Sequence, residues 1–229
     1  MQRKGAVRIV PELAIRDRMA AARMLTQVFG FRGADADGDL FALGDQLVAL
    51  VADEVTGHGV IDHLALAVAD VDAALADALS RGAKLEGTTP DGPQEIAEFW
   101  DAGVRYVFLE GPDGARIEFC AKLGADARDG LPGHDHIGIP CTDLAATEAF
   151  FLSLGLEPVA AVDLRRADGV TKVRFLSAGE GMVELYEPPA LRGAPAPFAA
   201  KGLWNGLRLL GAESEGLRIG PDGLRVTLA

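Results

Sequence analysis

The chain has 229 residues, 49% of them apolar and 24% charged, a balance that fits a globular protein with a sizeable core. Acidic residues number 34 and basic residues 22, for a formal charge of −12; a surface this acidic repels phosphate backbones and sets nucleic acid and anionic membrane aside as partners. No apolar run reaches the roughly 18 residues of a membrane span, and the basic start MQRKGAVRIVPEL lacks the apolar stretch and cleavage site of a signal peptide.

In chain order, the sequence reads as four versions of one unit. The first, residues 1–55, holds IVPELAIRDRMAAARMLTQVFGF and LFALGDQLVALV: a strand, Asp17 before a helix, Gly30 after it, then more strand. The second, residues 56–123, opens with IDHLALAVADVDAALADALSRGAKL from Ile61 and ends with VRYVFLEGPDGARIEFC, two alternating runs joined by a GPDG turn. Within it, TTPDGPQEIAEFWD at 88–101 breaks the pattern and reads as a loop or lid over one face.

The third unit, residues 130–188, repeats the plan with HDHIGIPCTDLAATEAFFLSLGLEP from His134 and with TKVRFLSAGEGMVELYE. In both central units, seven residues separate the histidine (His63, His136) from the aspartate (Asp70, Asp143), and 12 separate the aspartate from the glycine (Gly82, Gly155). Aspartate suits a helix N-cap and glycine the left-handed turn that ends a helix. The fourth unit, residues 202–229, keeps LWNGLRLLGA and GLRIGPDGLRVTLA but has no helix. Connectors are expected at 121–133 and at the Pro- and Ala-rich 188–202.

Chemistry concentrates in the two central units. The chain has four histidines, His58, His63, His134 and His136; His134 is expected in the connector. His63 and His136 hold the same place on the first strand of their units, and Glu118 (RIEFC) and Glu184 (MVELY) the same place on the last. Each glutamate has apolar neighbours on both sides, where an unpaired charge is expensive. One such pair reads most simply as a solvent-facing carboxylate and a core imidazole; the same pair twice, at equivalent places, points to two imidazoles and two carboxylates meeting at one divalent cation. That mixed set suits Zn, Ni, Mn, Co or Fe. Such a cation binds two oxygens of a substrate and stabilises an enediolate, enolate or oxyanion, with Glu118 or Glu184 as the catalytic base. Small residues along the same strand faces, among them Ala65, Ala67 and Gly138, leave room for a ligand. Tyr186, Cys120 and Trp100 are the expected substrate contacts, while Cys141 and Cys120 otherwise read as small buried hydrophobes. With two cysteines no disulfide framework arises, and a reducing, cytoplasmic setting is expected. No GxGxxG, Walker or GxSxG motif is present.

The patterns DHIGI…D…FF…LG and IDHLALAV…GPDGARIEF resemble the vicinal oxygen chelate superfamily, which includes glyoxalase I, bleomycin-resistance proteins, methylmalonyl-CoA epimerase and extradiol dioxygenases. The resemblance covers the central units, extends moderately to the first and touches only the end of the fourth. It implies an α+β fold of repeated βαβββ modules, paired into two cup-shaped mixed sheets with helices outside. It also implies metal ligands on first and last strands: His63, Glu118, His136 and Glu184. Pairing the second module with the third, and the first with the fourth, gathers all four ligands in one cup. Pairing the modules in sequence instead gives the alternative set Glu12, His63 and Glu118, although counting back seven from Asp17 falls on Val10, and the matching last-strand position falls near Ala49. Asn205 and Thr227 would then face His136 and Glu184. Three functions follow: a glyoxalase-like lyase or isomerase; an iron-dependent ring-cleaving dioxygenase; and a non-enzymatic binder of small molecules. All three act on a small molecule, as a monomer or a homodimer.

Overall fold

The computed structural model describes residues 7–124, 133–179, 181–212 and 214–229. Among these residues the strands form two curled mixed sheets with three α-helices, an α+β arrangement. The first stretch runs β1 (Arg8–Ile15), α1 (Arg18–Gln27), β2 (Arg32–Gly33), β3 (Leu40–Leu43) and β4 (Gln46–Ala52). The second runs β5 (His63–Ala67), α2 (Val71–Ser80), β6 (Gln94–Ile96), β7 (Val104–Glu110) and β8 (Arg116–Lys122). Next come β9 (Gly133–Pro140), α3 (Leu144–Ser153), β10 (Glu157–Arg166), β11 (Gly169–Ala178) and β12 (Gly181–Glu187). The chain ends with β13 (Trp204–Leu210), β14 (Gly216–Ile219) and β15 (Arg225–Leu228).

The three helices start and stop alike. Asp17, Asp70 and Asp143 each accept the backbone N–H three residues on, at 3.0, 3.0 and 2.9 Å. Each such cap is worth about 1 kcal/mol. Gly30, Gly82 and Gly155 follow with φ of 76°, 93° and 89°, the left-handed turn that ends a helix without a Cβ clash. Val71, Leu75 and Ala78 form the buried stripe of α2, as Leu144, Thr147 and Phe151 do on α3.

One sheet has the order β10-β11-β12-β9-β5-β8-β7-β6; the other runs β14-β15-β13-β1-β4-β3-β2. The second and third stretches therefore share one sheet, and the first and last share the other. At the centre of the larger sheet, β5 pairs antiparallel with β9 and parallel with β8, while β12 pairs parallel with β9. Strand alternation then divides the side chains. Leu64, Leu66, Ile117, Phe119 and Val183 point into one core that joins both sheets and all three helices, whereas Ala65, Cys120, Val173 and Phe175 belong to a second apolar cluster on the opposite face.

The two GPDG turns lock the sheets together. Asp113 and Asp222 both adopt left-handed backbone, with φ of 54° and 56°. Asp113 accepts the N–H of Arg16 at 2.8 Å; Asp222 accepts the N–H and hydroxyl of Thr142 at 2.9 and 2.6 Å. Arg16 and Thr142 both immediately precede a helix-capping aspartate, so each sheet's turn grips the same corner of the other.

Segment 88–101 is more regular than a lid: Gln94–Ile96 adds an edge strand to the larger sheet. His134 lies within β9 rather than in a connector, because the strand begins at Gly133. Most of the connector expected at 121–133 falls outside the described residues. Among the described residues, no helix is long and apolar enough to cross a membrane.

Candidate functional site

Four ionisable side chains from four strands converge on the cup face of the larger sheet. His63 Nε2 lies 3.2 Å from His136 Nε2, 3.0 Å from Glu118 Oε2 and 4.0 Å from Glu184 Oε2. His136 Nε2 lies 3.1 Å from Glu184 Oε2 and 3.6 Å from Glu118 Oε2. All four residues are buried. Donors about 2.1 Å from a common centre stand roughly 3.4 Å apart in a tetrahedron and roughly 3.0 Å apart at neighbouring octahedral positions. Three of the five spacings, 3.0, 3.1 and 3.2 Å, fall in that range, and those of Glu118 to His136 and Glu184 to His63 are longer at 3.6 and 4.0 Å. His63, His136 and Glu118, with donor atoms within 4.8 Å of one another, fit a divalent cation, and Glu184 stands beside His136 as a further carboxylate. Without one, the group is held by ion pairing, since desolvating isolated charges costs several kcal/mol each.

A residue that sequence reasoning overlooked stands behind each imidazole. Asp62 Oδ2 is 3.0 Å from His63 Nδ1, and Asp135 Oδ1 is 2.9 Å from His136 Nδ1. In the neutral ring, an Nδ1–H donated to aspartate leaves the Nε2 lone pair aimed at the centre. The signal was present as the dipeptide Asp-His, which occurs in both central units. Arg116 in turn donates to Asp62 at 2.5 Å and to Glu86 at 3.0 Å.

Electrostatics follow from this packing. Burial alone would strip the proton from His63, but the carboxylates of Asp62 and Glu118 outweigh it and raise the imidazole to about 9. His136 is raised well above its ordinary range against the same burial penalty, by Glu184, Asp135 and Glu118. Burial opposes ionisation of Glu118, yet His136 and His63 together lower it to about 2. For Tyr186, burial and the nearby carboxylates of Asp62 and Glu184 push the phenol well above its usual value, which keeps it a hydrogen-bond donor.

Gly138 makes this geometry possible. It sits opposite His63 on β9, and a Cβ there would fall 2.0 Å from His63 Cε1. The smaller sheet inverts the arrangement. By strand register, the positions matching His63, His136, Glu118 and Glu184 are Gly206, Val10, Thr227 and Ala49. Gly206, not Asn205, is thus the counterpart of His63. Glu12 stands opposite Gly206, fills the space above it and pairs with Arg208 Nε at 2.5 Å. The alternative set Glu12, His63 and Glu118 is therefore not brought together: Glu12 belongs to the other sheet and already has a cationic partner.

The four donors open into a cleft of about 300 Å³. Tyr186, Cys120 and Trp100 all line it, as do Phe99, Phe108 and Phe175. Cys141 lies outside the cleft lining, donates to Ile139 O at 3.3 Å, and is pushed up to about 12 by burial. His58 is exposed and stands apart.

No family model matches the sequence, and no curated protein matches it. Solved structures do resemble the fold. Glyoxalase I from Zea mays superposes with a TM-score of 0.72 at 15% identity, covering 97% of this chain and 92% of its own. A suggested dioxygenase from Bacillus subtilis superposes with a TM-score of 0.55 at 14% identity, covering 99% of this chain and 84% of its own. The chain has the vicinal oxygen chelate fold.

Proposed function

We propose that this protein is a divalent-metal-dependent enzyme of the glyoxalase-like kind, which binds a small substrate through two oxygens and moves a proton beside a carbonyl. The observation that carries this reading is the buried cluster of His63, His136, Glu118 and Glu184, with spacings of 3.0–4.0 Å, at the floor of a cleft walled mainly by apolar and aromatic side chains. Those four residues would hold the cation. A cation bound there supplies Lewis-acid stabilisation of charge developing on a substrate oxygen.

The chain's own groups divide the remaining work. Glu118 lies near both imidazoles, whereas Glu184 has only His136 close by. Glu184 is therefore the carboxylate freer to turn toward substrate and take the proton. Tyr186, protonated and two residues further along the same strand, lines the cleft with its hydroxyl hydrogen-bonded to Asp62, the carboxylate behind His63. Asp62 and Asp135 hold both rings in one tautomer. Isomerase and lyase outcomes differ only in where the electron pair goes after the proton leaves.

Ring cleavage with dioxygen is the second reading: His63, His136 and Glu118 make the two-histidine, one-carboxylate donor set that suits non-haem iron oxygenases. The deciding experiment is metal analysis of protein purified without chelator, followed by metal-dependent deuterium exchange from D₂O into small α-hydroxy ketones, read by NMR. Bound metal near 1:1 with exchange is the expected result. Absence of both overturns the reading; oxygen uptake with catechols under Fe(II) replaces it with the oxygenase; bound metal and retained ligand without turnover replaces it with the binding protein.

A further inference from the structure

The two-module architecture that brings the donors together also lines both sides of the cleft with aromatic rings. Phe108 is the cross-strand partner of Glu118 on β7, and Phe175 the partner of Glu184 on β11. Phe108 packs edge-on to His63 at 5.1 Å, and Phe175 edge-on to His136 at 6.1 Å. Beyond Phe175, Trp100 extends the wall at 5.1 Å with its ring tilted by 40°. Trp100 has φ of 54°, a left-handed conformation that is uncommon and unfavourable for a bulky residue, so it is the contacts of its ring with Phe175 and Lys122 that keep the indole at the cleft.

Charge on the lining is one-sided. With both imidazoles neutral, as the metal reading requires, Arg116 is the only cationic side chain among the described residues lining the cleft, and Asp62 and Glu86 already engage it. Lys122 stacks on the Trp100 ring at 4.0 Å but does not line the cleft. Asp62, Asp135, Glu118 and Glu184 all face inward. Four carboxylates against one guanidinium and a divalent cation leave the cleft floor with a net negative charge, which disfavours a further anion there.

We infer that, on the metal reading above, the substrate is a compact, flat, apolar or aromatic molecule bearing two neighbouring oxygens and no anionic group, its body held between Phe108 and the Phe175–Trp100 wall. Phosphorylated and carboxylated bodies are rejected, because each would bury a charge beside four carboxylates.

Hydroxamates test this directly, since they share one bidentate oxygen head and differ in the body. Affinities of acetohydroxamate, benzohydroxamate and 4-carboxybenzohydroxamate for the Zn-loaded protein are measured by calorimetry. Benzohydroxamate is expected to bind at least tenfold tighter than acetohydroxamate, and the carboxylated analogue at least tenfold weaker than benzohydroxamate. Trp100→Gly, which removes the ring and relaxes the strained backbone, is expected to reduce the benzo-to-aceto ratio at least threefold; Trp100→Phe retains most of it. Acetohydroxamate and benzohydroxamate within twofold, or a carboxylated analogue as tight as its parent, overturns the inference and leaves the metal reading intact. Failure of any hydroxamate to bind in a zinc-dependent way overturns both.

Discussion

His63 and His136 are 73 residues apart in the chain, yet their Nε2 atoms lie 3.2 Å from each other. The contact exists because β5 and β9 run side by side at the centre of one sheet. If both nitrogens serve one cation, His63→Ala and His136→Ala each weaken zinc binding at least 100-fold, read by competition with a chromophoric chelator. Unchanged affinity in either variant removes that residue from the metal site.

Asp62 and Asp135 reach the cation only through the rings they hold. Asp62→Asn and Asp135→Asn are expected to weaken metal binding about 10–100-fold, with stoichiometry still one. Asp62→Asn also releases Arg116 from one of its two partners and lowers the melting temperature more than a simple ring reorientation requires. Both quantities come from one series of melts and titrations.

The pH dependence has a definite sign. His63 is raised from 6.5 to about 9, so in metal-free protein its contribution is full below pH 6.5 and is lost as pH rises through 9. Glu118 is lowered from 4.5 to about 2, so its contribution is full above pH 4.5 and is lost as pH falls through 2. Metal-free protein is therefore most stable between about pH 4.5 and 6.5 as far as these two groups are concerned, and it loses a few kcal/mol toward pH 9. Zinc needs neutral imidazoles, so binding at pH 7 releases protons and tightens with rising pH. Melting curves across pH, with and without zinc, and titration in buffers of different ionisation enthalpy check both statements. A flat metal-free profile from pH 6.5 to 9 contradicts the first.

Gly138→Ala separates folding from site formation. Its φ is not in the left-handed region, so backbone strain is absent, but the methyl would stand where the His63 ring lies. The variant is expected to fold and to lose metal affinity at least tenfold. In the smaller sheet, Glu12→Gln breaks the pair with Arg208, costs about 1 kcal/mol and leaves metal affinity unchanged.

Asp113→Gly tests the lock between the sheets. Glycine accepts the left-handed backbone at that turn, so any loss of stability, about 1 kcal/mol, belongs to the bond from Arg16 rather than to strain. Asp222→Gly is expected to cost more, because it removes two bonds from Thr142. Equal melting temperatures for both variants and the parent dismiss the lock as a stabilising feature.

Local chemistry along the chain fixed the helices, their aspartate caps and glycine stops, the GPDG turns and the recurrence of histidine and glutamate, because each depends on residues within a few positions of one another. It also marked Glu12 as out of step, since Val10 holds the place seven before Asp17. Which strands meet was beyond local chemistry. Hydrophobic alternation says which face of a strand is buried but not which strand lies beside it, and both pairings of the modules satisfy the same pattern. The fold decided that β5 lies beside β9 and β1 beside β13, and so placed Glu12 opposite Gly206 and His63 opposite Gly138. Only that long-range register puts two imidazoles, two carboxylates and two phenylalanines around one point.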